Sequence, residues 1–165
     1  MGTDKRIVLD ARLEEITYKV IGAGMAVHNG LGLGLKEAMY HRALSLELER
    51  AGLSFEEEKP VEIFLEGAAV GLLYVDHLVE ASVVVEEKAF SHLLTDEEVA
   101  QVITYLAALN LPVGMLLNFG RSKLQYKRIL APRKLDAWQR RIARYVWTPP
   151  GTHPIIRSSS VDETR

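Results

Sequence analysis

Two β-rich stretches, residues 70–79 and 82–89, constrain the fold most strongly because so little chain separates them. Only the few residues around Glu80 and Ala81 are left for a connection, whereas a crossover to a parallel neighbour needs about a dozen residues. The two stretches are therefore predicted to pair as an antiparallel hairpin. No Asn-Gly or Asp-Gly pair marks the turn, so the register of this hairpin stays open.

Charged residues interrupt both strands of the predicted hairpin. Asp76 lies in the first strand, and the sequence Glu86-Glu87-Lys88 lies in the second. Side chains alternate along a strand, so Glu86 and Lys88 share one face while Glu87 points to the other. A tight turn centred near residues 81–82 would bring Asp76 close to Glu86 across the two strands.

Two interpretations of this charged group remain open. The neighbouring residues are mostly valine and leucine, and burying two carboxylates among them is costly unless a cation compensates them. A divalent cation such as Mg²⁺ takes oxygen ligands, and Lys88 could then hold or activate an attacking water or stabilise charge at a phosphorus atom. The alternative is an ordinary ion pair at a strand edge, in which Lys88 and its neighbours neutralise Asp76 and Glu86.

Three helices are predicted from the spacing of apolar residues. The first covers about residues 12–29, and the second covers residues 35–51. Thr95 and Glu98 form a capping box at the start of the third helix, which continues to Asn110.

The glycine-rich connection between the first two helices is not predicted to bind phosphate. Gly30, Gly32 and Gly34 superficially resemble a phosphate loop. Such a loop follows a strand and ends in Lys followed by Ser or Thr, whereas here a helix precedes it and Lys36 is followed by Glu37. A helix-to-helix connection that uses glycine for positive φ is the better interpretation.

Three further strands complete the predicted sheet. Residues 60–65 alternate between inward and outward positions, which is typical of a strand with one face on the core. The side chains predicted to face the core are Val61, Ile63 and Leu65. A nearly continuous apolar stretch at residues 113–119 indicates a strand buried on both faces, and residues 124–130 are predicted as the last strand. The elements together predict a mixed sheet flanked by helices, in the α/β or α+β class.

Composition supports one ordinary globular domain. The 165 residues are 48% hydrophobic and 25% charged, which excludes wholesale disorder and fibrous repeats. The absence of cysteine excludes disulfides, thiolate catalysis and cysteine-based zinc sites, and the five histidines show no spacing typical of a zinc site. We expect one domain over residues 1–147 and a polar tail, rich in Pro, Ser and Thr, at residues 148–165.

Membrane insertion is not expected from this sequence. No apolar run approaches the roughly 18 residues of a membrane-spanning helix. Acidic residues near the N-terminus also stand where a secretory signal needs apolar ones. We therefore expect a cytoplasmic protein.

Positive charge is concentrated near the C-terminus, although the whole chain has a formal net charge of −2. Residues 121–144 contain nine Lys or Arg and a single acid, Asp136, and residues 134–147 are predicted to form a basic helix. Such a stretch either binds a polyanion such as nucleic acid or pairs with acids elsewhere in the monomer or in another copy.

Five short motifs in a fixed order resemble those of a known family. The sequence Gly34-Leu-Lys-Glu37-Ala-Met-Tyr40 is a complete match to the pattern G-x-x-E-x-x-Y. The other four motifs are Val27-His-Asn29, Asp76 followed by Glu86-x-Lys88, Gln101-x-x-x-Tyr105, and Leu116-Leu-Asn-Phe-Gly120. Over roughly residues 12–130 the chain therefore resembles the GxxExxY family of the PD-(D/E)xK nuclease superfamily.

The resemblance implies a restriction-endonuclease-like core, in which helices flank a central mixed sheet. In such a site Asp76 and Glu86 would bind Mg²⁺ or Mn²⁺, and Glu37 would join them through the metal or a water. Lys88 would serve the nucleophile, and Gln101 would position phosphate or water. The charged hairpin and the resemblance thus indicate the same set of Asp76, Glu86 and Lys88.

The leading functional hypothesis is a metal-dependent nuclease-like protein that hydrolyses nucleic-acid phosphodiesters, with DNA favoured over RNA as the partner. The alternative is a weak or inactive nuclease fold that acts as a nucleic-acid-binding or assembly module. The intact set of Asp76, Glu86 and Lys88 favours the first hypothesis. Tyr74 and Glu98, which stand where family members often have Arg and His, favour the second, as does the negative net charge. A small-molecule enzyme that reuses the acidic site is a third possibility, and a homo-oligomer would present two sites to a duplex.

Overall fold

Five strands and three helices make up residues 9–131, the part of the chain that this computed structural model describes. The helices are α1 (Ala11–Leu31), α2 (Glu37–Arg50) and α3 (Asp96–Leu109). The strands are β1 (Phe55–Leu65), β2 (Ala68–Val79), β3 (Val83–Lys88), β4 (Val113–Asn118) and β5 (Gln125–Leu130). None of these three helices is long and apolar enough to span a bilayer. The predicted basic helix at residues 134–147 and the polar tail lie outside the described residues.

The five strands form one mixed sheet in the order β1-β2-β3-β4-β5. Neighbouring strands are antiparallel, except for β3 and β4, which are parallel and are connected through α3. Helices α1 and α2 pack on one face of the sheet, and α3 packs on the other. The predicted fold class, a mixed sheet flanked by helices, is therefore confirmed.

The predicted hairpin is present as β2 and β3, and the structure defines its register. His77 pairs with Val85, and the regular ladder continues from this pair towards the turn. The same register places Asp76 opposite Glu86, one position beyond the last ladder pair. These two acids therefore lie at the point where β2 and β3 separate.

Strand β1 is longer than predicted, and its far end lies away from the core. It begins at Phe55 rather than near residue 60, and a tight turn joins it to β2. Val61 is buried as predicted, but Leu65, which was predicted to face the core, is 59% exposed. The adjacent Phe64, which follows an irregularity in the strand pairing, is 56% exposed, so neither apolar side chain at this end of the hairpin is covered. Alternation reports that a strand has two faces, and it carries no information on whether another layer covers either of them.

The capping box and the glycine connection are both confirmed. Thr95 caps α3, and the carboxylate of Glu98 accepts a hydrogen bond of 2.7 Å from the Thr95 backbone. Gly32 and Gly34 both have positive φ, as expected for a connection between two helices.

The chain that follows β4 passes very close to the chain that follows β3. Asn118 Oδ1 accepts hydrogen bonds from the backbone N–H of Phe90 at 2.8 Å and of Gly120 at 3.2 Å. A Cβ atom at Gly120 would lie 2.6 Å from the carbonyl carbon of Ala89, which no side chain tolerates. This close approach holds the end of β3 that carries Lys88.

Gly120→Ala is therefore expected to lower the free energy of unfolding by about 1–3 kcal/mol, because the backbone atoms it meets cannot move aside cheaply. The matched control is Gly22 in α1, where an added Cβ meets nothing within 4 Å. Gly22→Ala should raise the free energy of unfolding by about 0.5–1 kcal/mol. Urea unfolding of both variants tests this difference, and similar effects at the two sites would contradict the close approach.

Candidate active site

Asp76 and Glu86 tie β2 to β3 through their carboxylates at the point where the two strands separate. The backbone N–H of Asp76 donates to Glu86 Oε1 at 2.8 Å, and the backbone N–H of Glu87 donates to Asp76 Oδ2 at 2.9 Å. Side-chain oxygens thus take the place of the carbonyl groups of a regular ladder. The structure therefore brings Asp76 and Glu86 together.

Successive residues of β3 face opposite sides of the sheet, as alternation predicts. Lys88 Nζ donates to Gln101 Oε1 on α3 at 3.4 Å, and Glu86 lies on the same side of β3 as Lys88. Glu87 faces the opposite side of β3, where its carboxylate lies 2.8 Å from Nδ1 of His41 on α2. The structure therefore joins Gln101 to the charged hairpin through Lys88.

Glu37 is the first residue of α2, and the glycine connection before it determines where it lies. The buried hydroxyl of Tyr40 donates to the carbonyl oxygen of Gly32 at 2.7 Å. The Tyr40 ring stacks on Phe119, which follows β4, with ring centres 4.9 Å apart. These contacts anchor the start of α2 beside the end of the parallel strands.

Glu37 is an electrostatic neighbour of the charged hairpin, since its charge contributes to the raised pKa of Asp76. Within residues 9–131, neither set of three side chains whose ligand atoms lie within 4.8 Å of one another contains Glu37 or Glu86. Burial raises the pKa of Glu37, and the positive charge of Lys88 opposes this shift. Glu37 thus interacts electrostatically with both Lys88 and Asp76, and its role as a metal ligand stays a prediction.

Burial raises the pKa of both carboxyl groups at the strand separation. It raises the pKa of Glu86 to about 9, with a further contribution from the charge of Asp76. It raises the pKa of Asp76 to about 6, with a further contribution from the charge of Glu87. Lys88 and the backbone hydrogen bonds offset these shifts only in part. Buried carboxylates in this situation suit a hard divalent cation, which takes oxygen ligands and supplies the missing positive charge.

A second polar group lies towards α2, and we refer to Glu87, His41, His77, Ser45 and Glu57 as the His–Glu cluster. The fully buried carboxylate of Glu87 lies 2.8 Å from His41 Nδ1 and 2.9 Å from His77 Nδ1. The two imidazole rings stack with their centres 4.2 Å apart. The hydrogen bond to Glu87 raises the pKa of His41 to about 9.

The sequence did not reveal the His–Glu cluster because its members come from four different elements. His41 and Ser45 lie on α2, Glu57 on β1, His77 on β2 and Glu87 on β3. The spacing of histidines along the chain therefore gives no sign of the cluster. The one available signal was Glu87 itself, since a carboxylate among valines must find partners if that strand is buried.

The two positions that depart from the family pattern have other contacts. Glu98 accepts hydrogen bonds from the backbone and hydroxyl of Thr95, so it serves the cap of α3. The carbonyl oxygen of Tyr74 accepts a hydrogen bond of 3.0 Å from the Tyr105 hydroxyl, while the Tyr74 side chain is half exposed. Neither Glu98 nor Tyr74 supplies positive charge to the carboxylate pair.

Comparison with known proteins assigns this chain to a family. A model of the PD-(D/E)XK nuclease superfamily matches residues 14–129. The protein therefore belongs to the PD-(D/E)XK nuclease superfamily, and its sheet and flanking helices are those of a restriction-endonuclease-like fold.

A solved structure shows the same fold at low sequence identity. The crystal structure of a protein called SSO0001 is similar with a TM-score of 0.52 and 18% identity. The match covers 81% of this chain and 66% of that chain, so this protein spans just under two thirds of the length of SSO0001. No curated protein matches the chain.

The metal-free protein is expected to lose stability as the pH rises. The pKa of Glu86 is higher in the folded state than its ordinary value of 4.5, so its stabilising contribution is complete below about pH 4.5 and is lost as the pH rises through about 9. Glu86→Gln cannot ionise and should flatten this decline. Urea unfolding in the presence of a chelator, at several pH values, measures it.

The matched control for this experiment is Glu62→Gln, on the exposed part of β1. This variant should keep the pH dependence of the wild type. A wild-type stability that increases over this pH range, or an unchanged slope in Glu86→Gln, would contradict the raised pKa.

Proposed function

We propose that this protein is a metal-dependent nuclease of the GxxExxY type, which hydrolyses phosphodiester bonds of nucleic acid. The observation that carries the proposal is the buried pair of Asp76 and Glu86, with Lys88 on the same side of β3 as Glu86. Membership of the nuclease superfamily supports nucleic acid as the substrate.

Asp76 and Glu86 would hold Mg²⁺ or Mn²⁺, and Glu37 would join the ion through a water. Within the described part of the chain, each of the two carboxylates accepts one hydrogen bond, so further oxygen lone pairs remain for ion binding. The ion would lower the pKa of a bound water and neutralise charge on the phosphate.

Lys88 and Gln101 would act on the water and the phosphate. The hydrogen bond from Lys88 Nζ to Gln101 Oε1 restrains the ammonium group on the side of β3 that carries Glu86. From there Lys88 would hold the attacking water and stabilise the negative charge that develops on the phosphate oxygens. The water oxygen would bond to phosphorus as the bond from phosphorus to the leaving sugar oxygen breaks, with the proton of the water passing to solvent and the leaving oxygen taking one up from solvent. Gln101 would position the phosphate or the water.

DNA is the proposed substrate ahead of RNA, and the basic residues at 121–144 would contact its phosphates. Most of this basic stretch lies outside the described residues.

A homo-oligomer is also proposed, because the exposed side chains of Phe64 and Leu65 at the end of the β1–β2 hairpin offer an apolar contact. Two copies would present two sites to a duplex.

A second candidate function is a nucleic-acid-binding or assembly module without catalysis. The observation that favours it is the loss of positive charge beside the carboxylates, because Glu98 caps α3 and Tyr74 is uncharged. Phosphate would then be held at the site mainly by Lys88. Cleavage and binding must therefore be measured separately.

With Mg²⁺ or Mn²⁺ the wild type should cleave single-stranded, duplex or branched DNA, and Asp76→Asn should reduce the rate by roughly 100-fold or more. Lys88→Ala should reduce it similarly, because the charge that develops on the phosphate loses its cation. Glu62→Gln should keep the wild-type rate.

The metal-free Asp76→Asn protein should be at least as stable as the wild type, because the substitution relieves carboxylate repulsion. Cleavage that persists in Asp76→Asn, or in the presence of a chelator, would rule out the proposed site.

Nucleic-acid binding should weaken with added salt in proportion to the number of phosphates contacted. Replacing Arg140, Arg141 and Arg144 with Gln removes three potential contacts, so the slope of log affinity against log salt should flatten by up to about 2.7 units for duplex DNA. Filter binding or fluorescence anisotropy at several salt concentrations measures this slope. If these arginines instead pair with acids such as those at residues 56–58, the substitutions will change stability or assembly and leave the slope unaltered.

A further inference from the structure

We propose a second metal site in the His–Glu cluster, in addition to the pair of Asp76 and Glu86. Its ligands are the Nε2 atoms of His41 and His77 and the carboxylate of Glu57, and its occupant is a divalent transition-metal ion of the zinc type. Each of the three residues offers a ligand atom within 4.8 Å of those of the other two. The proposal does not depend on the nuclease function.

Glu87 already orients both imidazole rings as metal ligands. Its fully buried carboxylate contacts the Nδ1 atoms of His41 and His77 at 2.8 and 2.9 Å. An ionised carboxylate can only accept hydrogen bonds, so it holds a proton on each Nδ1, and a metal ion would bind at the Nε2 atoms after displacing the second proton of His41. A carboxylate that binds the second nitrogen of a metal-binding histidine is the usual support for such ligands.

One oxygen of Glu57 contacts the Nε2 atom of His41 directly and is linked to the Nε2 atom of His77 through the Ser45 hydroxyl. His41 Nε2 lies 3.0 Å from Glu57 Oε1, and Ser45 Oγ lies 2.8 Å from that oxygen and 2.8 Å from His77 Nε2. The proton of charged His41, whose pKa is raised to about 9, closes the contact between His41 Nε2 and Glu57 Oε1. A metal ion placed among these atoms would take the place of that proton.

The ligand set determines which ion fits. Two imidazole nitrogens and one carboxylate, with a fourth position open, suit zinc-type ions, and tetrahedral bonds of about 2.1 Å place ligand atoms about 3.4 Å apart. The three ligand atoms need only a small movement to reach that spacing. Nitrogen ligands favour such ions over Mg²⁺, whereas the oxygens of Asp76 and Glu86 favour Mg²⁺. The two sites would therefore select different ions.

A second set of three residues, His41, Glu58 and Asp76, also has ligand atoms within 4.8 Å of one another. It shares His41 with the first set and contains a single imidazole. The first set is favoured because Glu87 orients both of its rings.

An ion in the His–Glu cluster would link three elements around the candidate active site. His41 lies one turn after Glu37 on α2, Glu57 lies on β1, and His77 follows Asp76 on β2. The ion would therefore tie the helix that carries Glu37 to the strand that carries Asp76, and binding should raise the melting temperature.

The test is a titration of the chelator-treated, full-length protein with Co²⁺ in excess Mg²⁺. We expect the strong visible absorption of low-coordinate cobalt, saturating at one equivalent, and calorimetry with Zn²⁺ should give the same stoichiometry. Glu57→Gln removes an exposed ligand with little risk to folding and should weaken binding by about tenfold or more. Glu56→Gln, the neighbouring exposed acid, should bind as the wild type does.

Asp76→Asn separates this site from the proposed nuclease site, because it should retain the cobalt absorption while it loses Mg²⁺-dependent cleavage. Loss of the absorption in Asp76→Asn would overturn the proposal by assigning the ion to the carboxylate pair or to the second set. Absence of the absorption in the wild type, displacement of cobalt by Mg²⁺, or equal binding by Glu57→Gln and Glu56→Gln would also overturn it.

Discussion

The paired carboxylates of Asp76 and Glu86 are the interaction on which the rest of the candidate active site depends. Each accepts a backbone hydrogen bond from the other strand, so the strands can separate without leaving these N–H groups unpaired. The separation holds two acids in a buried place where their charge is poorly compensated, which the raised pKa values express. The same arrangement that completes the hydrogen bonding of the hairpin therefore leaves two buried acids whose charge the proposed cation would compensate.

Three consecutive residues of strand β3 place charged side chains on both faces of the sheet. Glu86 and Lys88 lie on the side of α3, where Gln101 holds the lysine. Glu87 lies on the side of α2, where it holds two histidines. Because both sides meet at the same end of the strand, the proposed ion in the His–Glu cluster would lie close to Asp76, whose carboxylate is within 4.8 Å of a ring nitrogen of His41.

The sequence predicted correctly the elements that are formed by interactions between residues close together in the chain. The Thr95–Glu98 capping box, the antiparallel hairpin and the buried strand after Pro112 all depend on neighbouring residues, and the structure confirms each of them. The prediction that Leu65 faces the core is wrong because burial depends on whether another layer covers the strand. The interpretation of the histidines was incomplete for a similar reason, since His41 and His77 meet only after α2 packs on the sheet.

The sequence by itself determined that residues 70–79 and 82–89 pair as an antiparallel hairpin, because so few residues connect them. It also determined that Glu86 and Lys88 share a side, which follows from the two-residue period of a strand. Only the tertiary structure decided that α2 brings Glu37 near Asp76 and that Glu87 joins His41 to His77. Those relationships depend on how helices pack against a sheet, which is set by the combined shape of many apolar side chains and not by the spacing of any few residues along the chain.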